Sequence, residues 1–175
     1  MTRDRMWLGA LSLFGLLSFP PGAPAQERPE YRLKAAFLYN FVLFTEWPAD
    51  VGTTLNLCIY GQDPFGKEVD VLQGKAAAER IIAIQRKHAG DSLKGCHVVF
   101  IGAAAIGSLP SVLAELRDSA VLTVADSPGA ARQGVALNMA VAQNRVSFEA
   151  NLQAARAARI NLSSKLLRLA TEVFR

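Results

Sequence analysis

Two histidines, two cysteines and two tryptophans are all that the 175 residues hold of those types. That scarcity removes support for whole classes of chemistry. His88 and His97 do not combine with other ligand types at zinc spacing, so no metal centre is expected. The chain also lacks a P-loop, a Gly-x-Gly-x-x-Gly turn after a strand, and a Gly-x-Ser-x-Gly elbow, the turns on which nucleotide and hydrolase sites are built. Ser108, Ser111 and Ser127 have no histidine in a recognisable triad context. Neither an enzymatic activity nor a cofactor is expected. Basic residues exceed acidic ones only slightly, 19 against 15; they are scattered and not interleaved with aromatics. Nucleic acid is therefore not an expected partner.

An apolar run long enough to cross a membrane, about 20 residues, is missing too. Arg3 and Arg5 instead precede a shorter apolar run over 6–19, which breaks at Pro20-Pro21 and leads to Ala23-Pro24-Ala25. That is the pattern of a secretory leader, cleaved after Ala25. No cysteine follows the run at the lipoprotein position. Residues 1–25 are thus read as a signal peptide and 26–175 as one mature domain that does not span the membrane. Losing Arg3, Asp4 and Arg5 lowers the net charge from +4 to +3.

Both cysteines, Cys58 and Cys96, fall in the exported part. In an oxidising compartment an even pair reads as a disulfide, the alternative being two separate buried thiols. Closing a loop of about 40 residues would stabilise the fold by roughly 4 kcal/mol in the chain-entropy model.

What the chain does have is an unusually apolar helix over residues 31–48, YRLKAAFLYNFVLFTEWP. An ordinary surface helix carries an apolar stripe roughly 100° wide with charge opposite. Here Leu33, Phe37, Phe41 and Phe44 form one line and Ala36, Asn40, Leu43 and Trp47 a second beside it. Such a helix is either a core element or one that shows aromatic surface to a partner. Trp47-Pro48 is its expected end, because the residue before proline is pushed out of the α region.

Beyond it, strands are expected over 55–60, 81–85, 96–101 and 121–125. Asp63 is the expected N-cap of a helix with Pro64 at its first position and its end at Gly74. Ser108 is the expected cap of a second helix. Residues 135–141 and 146–148 read as a hairpin turning at Gln143-Asn144-Arg145. From Asn151 the chain reads as helical in two parts separated near Ile160-Asn161, with Leu162, Leu166, Leu169, Ala170 and Val173 on the inner face of the second. Strands alternating with helices predict a single α/β domain, a mostly parallel sheet with helices on both faces, made mixed by the C-terminal hairpin. Ligands in such sheets sit beyond the carboxyl ends of the strands. Asp63, Phe65 and Asp126 are the candidates for a small-molecule crevice there.

Several segments resemble the YfiR-like family in order and along almost the whole mature chain. They are Tyr31-Arg32-Leu33-Lys34-Ala35-Ala36-Phe37-Leu38-Tyr39-Asn40-Phe41 with Trp47-Pro48, Cys58-Ile59-Tyr60-Gly61-Gln62-Asp63-Pro64-Phe65-Gly66, Cys96-His97-Val98-Val99-Phe100, Leu122-Thr123-Val124-Ala125-Asp126, and Ser163-Ser164-Lys165-Leu166-Leu167-Arg168-Leu169-Ala170. The resemblance implies a non-enzymatic periplasmic regulator that restrains an inner-membrane diguanylate cyclase by binding its periplasmic sensor region, lowering cyclic-di-GMP and biofilm formation. It further implies a homodimer and an outer-membrane lipoprotein that sequesters the regulator. Cys58 and Cys96 match the family's disulfide positions. A second cysteine pair, found in some members around 134–141, is absent here, and Gln133-Gly134 stands where members usually have two glycines. Aromatic and arginine side chains favour interface hot spots. The candidate partner-binding residues are accordingly Phe37, Phe41 and Phe44 on the first helix and Arg156, Arg159 and Arg168 on the last.

Overall fold

The structure, a computed structural model, describes residues 29–143 and 145–175. The expected leader with its cleavage point lies outside the described residues, as does Asn144 of the hairpin turn.

The first helix, α1 (Pro29–Leu43), stops short of the Trp47-Pro48 pair. Thr45 Oγ1 donates to the Phe41 carbonyl at 2.7 Å, taking one of the acceptors that a helix end leaves unpaired. The short strand β1 (Thr45–Glu46) then leads to β2 (Thr54–Tyr60), α2 (Lys67–Asp70), β3 (Ala76–Ala77), β4 (Arg80–Lys87) and β5 (Val98–Ile101). A 3-10 helix (Ala103–Ser108) runs straight into α3 (Leu109–Glu115), and β6 (Leu122–Ala125) follows. A second 3-10 turn (Ala131–Gln133) precedes β7 (Leu137–Ala142) and β8 (Arg145–Asn151). The chain finishes with α4 (Leu152–Ala157), β9 (Asn161–Leu162), α5 (Ser164–Leu167) and β10 (Glu172–Phe174).

Eight strands form one mixed sheet in the order β10-β8-β7-β6-β5-β2-β4-β3. From β4 through β2, β5 and β6 to β7 every neighbour is parallel. The expected hairpin, β7 with β8, is antiparallel. The central strands are buried on both faces, which is why they read as unbroken apolar runs rather than alternating ones. Leu55, Leu57 and Ile59 of β2 join Val98, Phe100, Leu122 and Val124 in one core with α1 and α2. Cys58 and Tyr60 face the other way, into a second core with Val99, Ile101 and the α3 residues Leu109 and Val112. Helices on both faces are therefore present, as the strand-helix alternation predicts.

Three local expectations differ. The α2 helix begins after Gly66, so Asp63 caps a turn rather than the helix: its Oδ1 accepts from the N–H groups of Phe65 (2.7 Å) and Gly66 (3.2 Å). Ser108 makes no side-chain cap, because its backbone is already helical at the end of the 3-10 segment. The expected break near Ile160-Asn161 is present, and the largest correction is in the second helical part, which shortens to α5 and gives way to a strand. Arg159 takes a left-handed backbone (φ 55°), and Asn161 and Leu162 pair with Glu46 and Thr45. Thr171 then bonds to the Phe148 carbonyl through both its N–H (2.8 Å) and its hydroxyl (3.0 Å), laying Glu172–Phe174 alongside β8 as an edge strand. Leu169, expected on an inner face, is 70% exposed. Pairing with an existing sheet edge outweighs a helical period only a few residues long.

Candidate functional site

The sheet order places β2 between β4 and β5, with α2 after β2 on one face and α3 after β5 on the other. This reversal is where a ligand crevice opens in α/β sheets of this kind. Here the loops close it. Gly61, just after β2, has φ +85°, and a Cβ on it would stand 2.7 Å from the Ala105 side chain. The Phe65 ring fills the space beneath, edge-on to Phe100 with centroids 4.7 Å apart.

The first turns of α1 complete the seal. Tyr31 packs edge-on to Phe65 at 5.2 Å, and its hydroxyl lies 3.5 Å from Asp126 Oδ2. Lys34, one turn further and 4% exposed, sets its ammonium 2.7 Å from the same oxygen, pairs also with Glu30, and sits 4.5 Å from the Tyr31 ring centroid. Burial pulls the Lys34 pKa down, but hydrogen bonds to Asp126 and Glu30 and the charge of Asp126 outweigh it and hold the amine above its ordinary 10.5. Below this pair, Ser127 N–H donates to Asn138 Oδ1 (3.2 Å) and Asn138 Nδ2 to Glu149 (3.1 Å). Asp126 Oδ1 and Ser127 Oγ are buried with no hydrogen-bond partner among the described residues.

The three crevice candidates thus separate into two networks. Phe65 and Asp126 meet through Tyr31. Asp63 instead faces Arg86, 2.7 Å from its Oδ2, and that guanidinium also reaches Asp70 at 2.8 Å and the Gly66 carbonyl at 3.0 Å. Bonds to Asp70 and Asp63 hold the Arg86 pKa above its ordinary value. Among the described residues no group of three or more His, Cys, Asp or Glu side chains is placed to hold a metal ion. No helix of the described residues is long and apolar enough to cross a membrane.

The partner candidates also divide. Phe41 is fully buried, packed on Phe148 with ring centroids 5.0 Å apart. This corrects its place: it anchors α1 and is not surface. Phe37, edge-on to Phe41 and Phe148, and Phe44 are half-buried. On the outer side Leu33 and Leu43 are 40% and 38% exposed, flanking exposed Ala36 and Asn40. Leu33 and Leu43 are not among the residues expected to meet a partner, because two apolar lines along one helix do not say which is outermost. Arg156, Arg159 and Arg168 are all exposed but share no helix. Arg156 lies on α4, Arg168 at the end of α5, and Arg159 between them, tethered to the Asp118 carbonyl at 3.3 Å. A cleft of about 530 Å³ opens between α3, the Gly134 turn and α4, with Leu113, Leu116 and Ala154 among its walls and Arg117 and Arg132 at its rim.

The cysteines meet as expected: Cys58 and Cys96 form a disulfide, their Cα atoms 5.9 Å apart, in the core on the α3 side of the sheet. A family model described as DUF4154, YfiR/HmsC-like, matches residues 31–171. The chain belongs to the YfiR/HmsC-like family. That membership makes it a member of a regulatory rather than catalytic family, one of periplasmic regulators of cyclic-di-GMP signalling. No curated protein matches the sequence. Among solved structures the fold is similar to that of a conserved domain protein from Vibrio cholerae O1 biovar eltor, with a TM-score of 0.52 at 10% identity over 82% of this YfiR/HmsC-like chain. The match spans 60% of the Vibrio chain, and at that identity it speaks to the fold alone.

Proposed function

We propose that this protein, exported after cleavage behind Ala25, represses an inner-membrane diguanylate cyclase by occupying its periplasmic sensor region with the outer face of α1. The observation that carries the reading is the exposure of Leu33 and Leu43 beside half-buried Phe37 and Phe44, on a helix that a simple core would bury more fully. Family membership supplies the compartment and the signalling system. Repression is by occupancy, without turnover. A homodimer and capture by an outer-membrane lipoprotein belong to the same reading. The small-molecule alternative at Asp63, Phe65 and Asp126 has less support, since Tyr31 and Lys34 of the chain itself fill the strand-end crevice.

The test is cellular. Deleting the gene should raise cyclic-di-GMP in a strain with the cognate cyclase, and an exported copy should lower it again. A copy without residues 1–25 should fail to repress. Unchanged cyclic-di-GMP in the deletion strain, with a competent cyclase, would overturn the proposal.

A further inference from the structure

The α1 helix has more apolar surface than it needs, so its apolar pattern does not fix its rotation. The side turned to the sheet carries Ala35, Leu38, Phe41 and Val42, all buried. The adjoining line of Leu33, Phe37 and Phe44, which shares the buried Phe41 with that side, is at least as apolar and more aromatic, yet Leu33 is exposed and both Phe37 and Phe44 are only half-buried. One residue step on a helix of 3.6 residues per turn is about 100°. A turn of that size would bring Leu33, Phe37 and Phe44 onto the sheet and carry Ala35 and Val42 outward. Hydrophobic burial alone distinguishes these two dockings poorly, because it is non-directional.

Directional contacts do distinguish them: the Tyr39 hydroxyl donates to the Ala76 carbonyl at 2.9 Å in an exposed bond, and one further contact is buried. Lys34 is the only charged residue on the buried side of α1, and its ammonium reaches Asp126 Oδ2 at 2.7 Å at the end of β6. Burying such a pair is weak evidence of stabilisation but a well-attested way to specify register, as a single buried polar residue does in coiled coils. Asp126 sits on the strand-end loop, held in place by β6 and by the Ser127 to Asn138 bond, so it is a fixed reference for the moving helix.

We propose that the Lys34–Asp126 pair is a positioning device that selects which of the two apolar lines of α1 faces the sheet, and therefore which is left facing outward. The consequence for the partner rests on the proposed function; the consequence for the helix does not. Lys34 and Asp126 are then positioning residues for a binding face that neither of them touches.

The experiment compares wild type with the Lys34→Met/Asp126→Leu double variant by hydroxyl-radical footprinting read by mass spectrometry. In the wild type Leu33 is 40% exposed and Leu38 is 0% exposed, so the Leu33 to Leu38 labelling ratio reports the rotation. The ratio should fall at least fivefold in the folded double variant and stay at the wild-type value in Lys34→Arg, which keeps the charge. An unchanged ratio in the double variant overturns the inference. Should that variant not fold, Asp126→Asn, which keeps the side-chain shape, decides by the same ratio. The purified periplasmic region of the cognate cyclase supplies the second arm. A fallen ratio with at least tenfold weaker binding supports both readings. A fallen ratio with unchanged affinity leaves the positioning role standing and removes α1 as the partner surface.

Discussion

The two faces of the sheet are built on different terms. On the α3 side a disulfide joins the middle of β2 to Cys96, two residues before β5, and the covering segment is a 3-10 helix continuous with α3. On the α1 side nothing is covalent: the helix is held by Leu38, Phe41 and Val42 and by one buried ion pair, while Leu33, Leu43 and, just after α2, Val71 remain exposed. A face that is stapled can serve as scaffold. A face held by general apolar contact, with apolar surface to spare, is the one suited to exchanging contacts with a partner.

The hardest test of that contrast is to cut the staple. Replacing both Cys58 and Cys96 by Ala frees a loop with a sequence separation of 38, and the cost should be about 4 kcal/mol, read as a lower denaturation midpoint. A double variant as stable as wild type would show that the α3 side has no special claim to be the scaffold. On the α1 side the matching test is Phe41→Ala. Phe41 is fully buried, and the change should cost about 3 kcal/mol, towards the low end for such a residue because Phe37 and Phe148 can lean into the space. A much smaller cost would mean that α1 is only loosely docked.

The outer side of α1 should behave in the opposite manner. Leu33→Asp with Leu43→Asp should cost less stability than Phe41→Ala, about 1–2 kcal/mol, because both side chains are partly exposed. The same pair should weaken binding to the cyclase's periplasmic region at least tenfold, measured by titration. A larger loss of stability without loss of binding would reverse the roles assigned to the two sides of the helix.

The contrast was only partly legible in the sequence. The strands were clear, since a parallel sheet buried on both faces writes each strand as a short apolar run between turn residues, as in Leu122-Thr123-Val124-Ala125. The disulfide was legible because only two cysteines exist. The rotation of α1 was not, because Leu33-Phe37-Phe41-Phe44 is as good an apolar line as the one the structure buries. Nothing in the local sequence marks Lys34 as buried, since its partner is 92 residues away. The one available signal is a lysine beside the apolar run of the helix together with an aspartate at a strand end. The C-terminal strand was hidden for a different reason: Leu166, Leu169, Ala170 and Val173 have helical spacing, and only the free edge of β8 makes Glu172–Phe174 a strand.

The smallest effect separates the faces by pH. Next to Cys96, the Asn56 N–H donates to His97 Nδ1 at 3.0 Å, and the His97 N–H returns a bond to the Asn56 carbonyl at 2.9 Å, so β2 and the start of β5 are clasped beside the disulfide. That bond needs an unprotonated Nδ1. Burial, with the charge of Arg80 added, holds the His97 pKa below its ordinary 6.5. As pH falls through about 6.5 the unfolded chain takes up the proton first, so the stability that His97 contributes is present above that value and is lost below it, levelling off once the folded form also protonates. Lys34 on the α1 side has the opposite sign. Its raised pKa gives stability that is complete below 10.5 and lost only as pH rises through the folded value. Melting curves between pH 7.5 and 5 should therefore fall more steeply for wild type than for His97→Asn, while Lys34→Arg, which keeps a cation beside the buried Asp126, should leave the wild-type slope unchanged. Equal slopes for wild type and His97→Asn would show that the clasp tolerates protonation and that the stapled face is no more acid-sensitive than the other.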